Sequence, residues 1–306
     1  MEIVLDLKNI DHATTMRILE LGRVFRPATS HTYPPFKKGR YMEEYLYDYL
    51  IAQKDTLSTK WVYLPIFWTN LQNQPGFSDK KSNYDILLQR AFQTMPSDTV
   101  YFTIVQHDDG PQLRLPPSTV IFGACTGTIP LPLIYEDVSC RLLDTPRLSN
   151  KTILASFVGT DTTHPLRGTM IRHLRGKPDV QCHLRSIWKP TVPEEDAATF
   201  IRLTLDSRFC LAPRGYGRSS FRFFEAMLLD TIPVYIWDDI EWLPYREILD
   251  YSTFSVSISQ AELPHLYDRL RAITEEQYQS MLEALQRVRS YFTVEGMASY
   301  LIRRLE

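Results

Sequence analysis

Short apolar runs recur along this 306-residue chain, and helical patterns fill the gaps between them. The runs lie at residues 2–7, 60–68 (KWVYLPIFW), 99–106 (TVYFTIVQ), 119–124, 153–159, 180–184, 208–212, 231–237 and 252–258. Most are apolar throughout rather than alternating. That is how strands read when both faces are buried in a parallel sheet. Helical spacing appears at 40–53, 83–93, 197–205, 219–229, 264–273 and 275–291. Strand and helix alternate through both halves, which predicts an α/β architecture. The turn-rich stretch 144–151 (DTPRLSNK) divides the chain into residues 1–148 and residues 149–306.

Composition narrows the function. Lys and Arg total 34 against 36 Asp and Glu, a balance that disfavours a general nucleic-acid binder. No stretch approaches the roughly 20 apolar residues of a membrane span. The N-terminus lacks the basic start of a signal peptide, so a cytoplasmic or otherwise soluble location is expected. Four cysteines (Cys125, Cys140, Cys182, Cys210) show no CxxC spacing, which argues against a structural zinc site. His107, Asp108 and Asp109 are possible metal ligands by type, but adjacent residues on one loop rarely converge on one ion.

The informative segment is 207–238, SRFCLAPRGYGRSSFRFFEAMLLDTIPVYIWD. It reads as strand, Gly/Arg loop, helix, strand. Such a loop lies at the carboxyl end of a parallel strand, where open α/β sheets bind ligands. Backbone N–H groups at Ser219 and Ser220 open the helix and attract anions. Arg214, Arg218 and Arg222 add positive charge, and a diphosphate suits that combination. Glu225 shares a helix face with Arg222 and can accept from ribose hydroxyls, while Tyr216 offers a ring to a base. The plainer readings are solvated arginines and an exposed helix carboxylate.

The ordered run Phe209, Cys210, Leu211, Pro213, Gly215, Ser220, Arg222, Glu225, Ala226, then Ile232, Pro233, Val234, Leu243, Pro244, Phe254, Ser255 and Val256 resembles the exostosin-like family of inverting glycosyltransferases. Upstream, 40–71 resembles that family's acidic helix and following strand. Residues 101–110 (YFTIVQHDDG) resemble its strand ending in H-D-x-G, and Phe157, Gly159 and Arg167 its F-x-G…R segment. One departure is Asp230-Thr231, where many members carry Gly-Cys. A second is the missing N-terminal anchor, which would otherwise place the chain in the Golgi lumen.

The resemblance implies two facing Rossmann-like domains in the GT-B arrangement, with a C-terminal helix bracing back to the first. The first domain would hold a glycan acceptor, an oligosaccharide or glycoprotein. The second would hold a UDP-sugar, with xylose or glucuronic acid the favoured sugars. It implies inverting transfer with no obligatory cofactor or metal, in keeping with the lack of a D-x-D triplet. The donor site would use Arg167, Arg214, Gly215, Tyr216, Ser219, Ser220, Arg222 and Glu225. The general base is expected from the first domain: Asp108 first, then His107, then Glu44. Asp108 also fits a turn before Gly110. An alternative is a binding module for UDP-sugar or glycan that has lost its base. A dinucleotide-type epimerase is disfavoured, since no GxGxxG follows the first strand.

Overall fold

The computed structural model describes residues 15–28, 39–138, 141–148, 150–187 and 192–306. The expected strand at 2–7, Cys140 and Trp188 lie outside them. Two five-stranded sheets, parallel throughout, form the frame. The first runs β1 (Arg17–Ile18), β2 (Val62–Tyr63), β3 (Tyr101–Val105), β4 (Val120–Gly123), β5 (Ile129–Pro130), in that spatial order. The second comprises β6 (Ile153–Thr160), β7 (Val180–Arg185), β8 (Ser207–Pro213), β9 (Ile232–Trp237) and β10 (Val256–Ser259). Its spatial order is β10-β9-β8-β6-β7. With helices between their strands, these are two Rossmann-like domains.

Parallel neighbours need crossovers, and helices supply them. The first half holds α1 (Met42–Gln53), α2 (Trp68–Gln72) and α3 (Phe77–Phe92). The second holds α4 (Pro165–Leu174), α5 (Glu194–Asp206) and α6 (Phe221–Leu228), followed by α7 (Leu266–Ala272), α8 (Glu275–Val288) and α9 (Val294–Leu305). The apolar positions of α9, Met297, Ala298 and Leu301, are fully buried, and the helix packs back on α1. One apolar cluster runs from Met42 and Phe122 through Phe157 and Phe209 to Leu301, so the halves share buried surface. Among the described residues no helix is long and apolar enough to cross a membrane.

Local chemistry moves several boundaries. The apolar run 60–68 yields only a two-residue β2. Leu64 N–H still reaches Phe102 O at 2.8 Å, but Pro65 has no N–H to continue the ladder. The run expected at 252–258 becomes a strand only from Val256. Before it the Asp250 carboxylate accepts from Ser252 N–H at 3.0 Å and holds a 3₁₀ turn. Helix α4 has no strong apolar period, but His164 caps it, with Nδ1 accepting from Leu166 N–H at 3.3 Å, and Pro165 starts it.

Candidate active site

The carboxyl ends of β6, β8 and β9 bring three loops together. Strand β8 is buried to its last residue, and Arg214 N–H extends its pairing onto Ile236 O at 3.0 Å. From there 214–220 leaves the sheet and turns into α6. Arg167 fixes its course. Its Nε donates to Arg214 O at 2.9 Å, Nη1 to Thr160 O at 2.7 Å and Nη2 to Pro213 O at 3.2 Å. Arg167, expected at the phosphates, ties the end of β6 to the end of β8 and holds the loop. Ser219 and Ser220 are buried at the helix start, and Tyr216 stands 62% exposed at the loop's crest.

Charge in this region is balanced rather than purely positive. Arg214 Nη1 reaches Asp238 Oδ1 at 2.7 Å and Asp239 Oδ1 at 3.0 Å, and Arg218 Nε reaches Asp239 Oδ2 at 2.7 Å. His164 Nε2 lies 3.5 Å from Asp238 Oδ2. Burial and the Arg214 charge push the His164 pKa below its ordinary value, while Asp238 opposes them. Sequence reasoning gave Asp238 and Asp239 no role. The available signal was two acids directly after a parallel strand, at the end where sites form.

Arg222 and Glu225 do share a helix face, but that face points inward. Arg222 donates from Nε to Val158 O at 2.8 Å, stacks over Phe200 at 4.1 Å and pairs through Nη1 with Glu225 Oε2. Glu225 is 3% exposed, and its Oε1 accepts from Tyr135 OH at 2.7 Å. Glu225, expected at the ribose, and Arg222, expected at the phosphates, thus have each other and Tyr135 and Val158 as partners here. Burial puts this pair beneath the loop, where it ties α6 to β6 and to the segment between the sheets.

On the facing domain, β3 ends in a tight turn in which His107 O accepts from Gly110 N–H at 3.0 Å. Gly110 takes φ +71°, a left-handed conformation that glycine tolerates best. Asp108 is thus a turn residue, and it also faces the other domain. A Cβ built on Gly217 would lie 2.5 Å from Asp108 Oδ1 and 2.5 Å from Cys125 Sγ, so no side chain fits between the two domains there. Cys125 donates its thiol hydrogen to Asp108 Oδ1 at 3.3 Å. Burial raises the Asp108 pKa, while the Cys125 thiol and the Gly217 N–H oppose the rise. Two further contacts close the same seam: Arg218 Nη1 to Thr126 Oγ1 at 3.5 Å, and Trp242 Nε1 to Gly123 O at 3.3 Å.

Of the rival bases, His107 accepts from Asp109 N–H through Nδ1 at 3.2 Å, and burial lowers its pKa. Glu44 closes the start of α1, accepting from Tyr41 N–H at 3.0 Å. Its neighbour Glu43, unassigned from sequence, is 1% exposed and accepts from Thr69 N–H at 2.8 Å, Thr69 Oγ1 at 3.0 Å and Gln106 N–H at 2.7 Å. Gln106 Oε1 in turn accepts from Met42 N–H at 2.9 Å. Glu43 thereby anchors the residue preceding His107 and Asp108. Burial pushes its pKa up to about 8.

Among the described residues the tryptophans serve the core or the seam. Trp68 is fully buried, Trp61 packs on Phe102 and Phe122, and Trp237 bonds Ser257.

The model of the exostosin GT47 domain matches residues 118–273, just over half of the chain. The chain belongs to the exostosin GT47 family. The matched stretch holds β4 to α7, including the loops at 160–164, 214–220 and 238–239, whereas Asp108 and Glu43 precede it. A probable glycosyltransferase of Arabidopsis thaliana is 36% identical over 156 residues, covering 51% of this chain and 31% of that protein. An exostosin-1 homolog of Caenorhabditis elegans is 22% identical over 200 residues, covering 57% and 52%. The matches therefore span about a third to a half of these relatives. Among solved structures, Anabaena HepE with UDP-glucose aligns at 11% identity and TM-score 0.43, covering 85% of this chain and 81% of that one. An α1,3-fucosyltransferase with GDP-fucose aligns at 14% and 0.41, covering 86% and 84%.

The departure from the exostosin GT47 pattern at Asp230 has a visible consequence. Asp230 takes φ +52°, where a glycine would sit without strain. Its carboxylate offsets that strain with Arg289 at 2.7 Å and Arg147 at 3.2 Å.

Proposed function

We propose that this chain is an inverting glycosyltransferase. It moves a sugar, xylose or glucuronic acid, from a UDP-sugar to a hydroxyl of a glycan acceptor, without an obligatory metal. The observation that carries the reading is the approach of the Asp108 carboxylate, from the first domain, to Gly217 on the Gly/Arg loop of the second. A carboxylate facing that loop is where a base must stand if the loop holds the diphosphate.

In a single displacement the acceptor oxygen bonds to the anomeric carbon from the face opposite UDP. The carbon–oxygen bond to the diphosphate breaks, and Asp108 takes the acceptor's proton. Burial raises the Asp108 pKa, which strengthens its carboxylate as a base. The departing diphosphate meets the N–H groups at Ser219 and Ser220 and the charge of Arg214. Preorganised donors of this kind are the usual stabilisers of a leaving anion. Gly215 keeps the loop open beside them, and Tyr216 offers a free ring to the uracil.

The test pairs binding with turnover. UDP, with and without EDTA, should raise the melting temperature equally, and GDP less. Asp108→Asn should hold UDP affinity within a few fold and lose about 10²–10⁴ in transfer, the range of general acid–base catalysis. UDP binding without transfer in the native chain would instead favour the binding-module reading.

A further inference from the structure

Strand β3 pairs with β4 as far as Val105, whose carbonyl accepts from Ala124 N–H at 2.9 Å. The turn beyond it, which carries Asp108, is gripped by side chains at both ends. At its start Glu43 accepts from Gln106 N–H at 2.7 Å. At its end Gln72 makes two bonds with one amide. Its Nε2 donates to Gly110 O at 3.0 Å, and its Oε1 accepts from Gln112 N–H at 2.7 Å. A carbonyl and an N–H as partners fix which way that amide points.

Both grips lead back to α2. Its first residue, Trp68, is fully buried and donates from Nε1 to Thr103 Oγ1 at 2.8 Å. Thr103 in turn donates to Leu64 O at 3.1 Å, so α2 is pinned to the middle of β3. Its second residue, Thr69, holds Glu43 through N–H at 2.8 Å and Oγ1 at 3.0 Å. Its last, Gln72, reaches the turn directly. Five helical residues thus brace, from two sides, the loop that follows β3. A base must stand within about 0.5 Å of its productive place, and a loop supplies that precision only when such a shell holds it.

We infer that Gln72 is a positioning residue for the base: together with Glu43 it sets where the Asp108 carboxylate stands, and it acts through the turn rather than on the substrate. This rests on the reading of Asp108 as the base.

Gln72→Ala suits the test. Gln72 and Gln112 are both half-buried, so water can take up the freed bonds and the fold should hold. The first readout needs no substrate. Amide hydrogen exchange at Gly110 and Gln112 should quicken while the amides of β3 keep native rates. The second is UDP release from UDP-xylose and UDP-glucuronate with water as acceptor. There the water oxygen bonds to the anomeric carbon, the bond to UDP breaks and Asp108 takes the proton. In Gln72→Ala kcat should fall about tenfold or more, with KM and UDP affinity held within a few fold. In the Asp108→Asn background the same change should cost less than about twofold. Native exchange at Gln112, native kcat in the folded variant, or an equal loss in both backgrounds overturns the inference. Native-rate release by Asp108→Asn is a different failure. It removes the base, and the positioning role falls with it.

Discussion

Gly217→Ala is the sharpest probe of the seam. The added methyl would sit 2.5 Å from Asp108 Oδ1, 2.5 Å from Cys125 Sγ and 2.7 Å from Cys125 Cβ. Unstrained contacts between such atoms fall near 3.5–4.0 Å, so loop and turn must separate by about 1 Å. Overpacking on that scale costs roughly 1–3 kcal/mol. With about 2.1 cal/mol/K of unfolding entropy per residue, the melting temperature should fall by roughly 2–5 °C. Activity should respond far more, because a displacement of about 1 Å between base and acceptor is worth about 10²-fold in rate. The assay combines calorimetry, UDP titration and initial transfer rates, and UDP affinity should stay within a few fold. A cycle with Asp108→Asn separates mechanisms: if the methyl acts through the base, it adds little in the Asn background. Near-native turnover in Gly217→Ala, or full additivity with Asp108→Asn, would refute the argument.

The neighbouring residues give three further expectations. Cys125→Ala removes a hydrogen bond that favours ionised Asp108, so the acid limb of kcat/KM should move to higher pH; an unmoved limb argues that the thiol does not touch the base. Glu43 holds its proton up to about pH 8 in the fold against an ordinary value of 4.5. The folded state therefore binds the extra proton, and stability should fall as pH rises from about 4.5 to 8, by at most roughly 5 kcal/mol. Glu43→Gln should flatten that slope in urea titrations at pH 5 and pH 8.5, and an equally steep slope would move its source elsewhere. Glu225→Ala leaves Arg222 buried without its carboxylate, which should cost about 3–5 kcal/mol and show as lost stability rather than as selective loss of UDP affinity.

Apolar runs were legible because burial on both faces of a parallel strand leaves a local mark. Runs 99–106 and 153–159 appear as β3 and β6 with little change. Boundaries failed where one residue's hydrogen bonding overrode the pattern, as at Pro65 and Asp250. The acidic helix was legible, but the different surroundings of its two adjacent carboxylates were not. Glu43 and Glu44 are adjacent, and consecutive helical residues point in directions about 100° apart. One therefore enters the core and the other turns back to cap the helix, and composition cannot tell them apart.

The two sides of the cleft also differ in how far apart their parts lie in sequence. The candidate donor side is nearly contiguous: strand, loop and helix follow one another from 207 to 228. What that stretch did not show was direction: Arg222 and Glu225 pair with each other beneath the loop. The charge that offsets Arg214 comes from Asp238 and Asp239, more than twenty residues later, and is visible only once β9 is paired beside β8. The base side is scattered further. Glu43 reaches Gln106 across 63 residues, and Asp108 meets Cys125 across 17 and Gly217 from the other domain. Helical or strand periodicity relates residues a few positions apart, so it carries nothing about such meetings. A sequence can thus show the Gly/Arg loop as one stretch while staying silent on the acids that come to pair with its arginines.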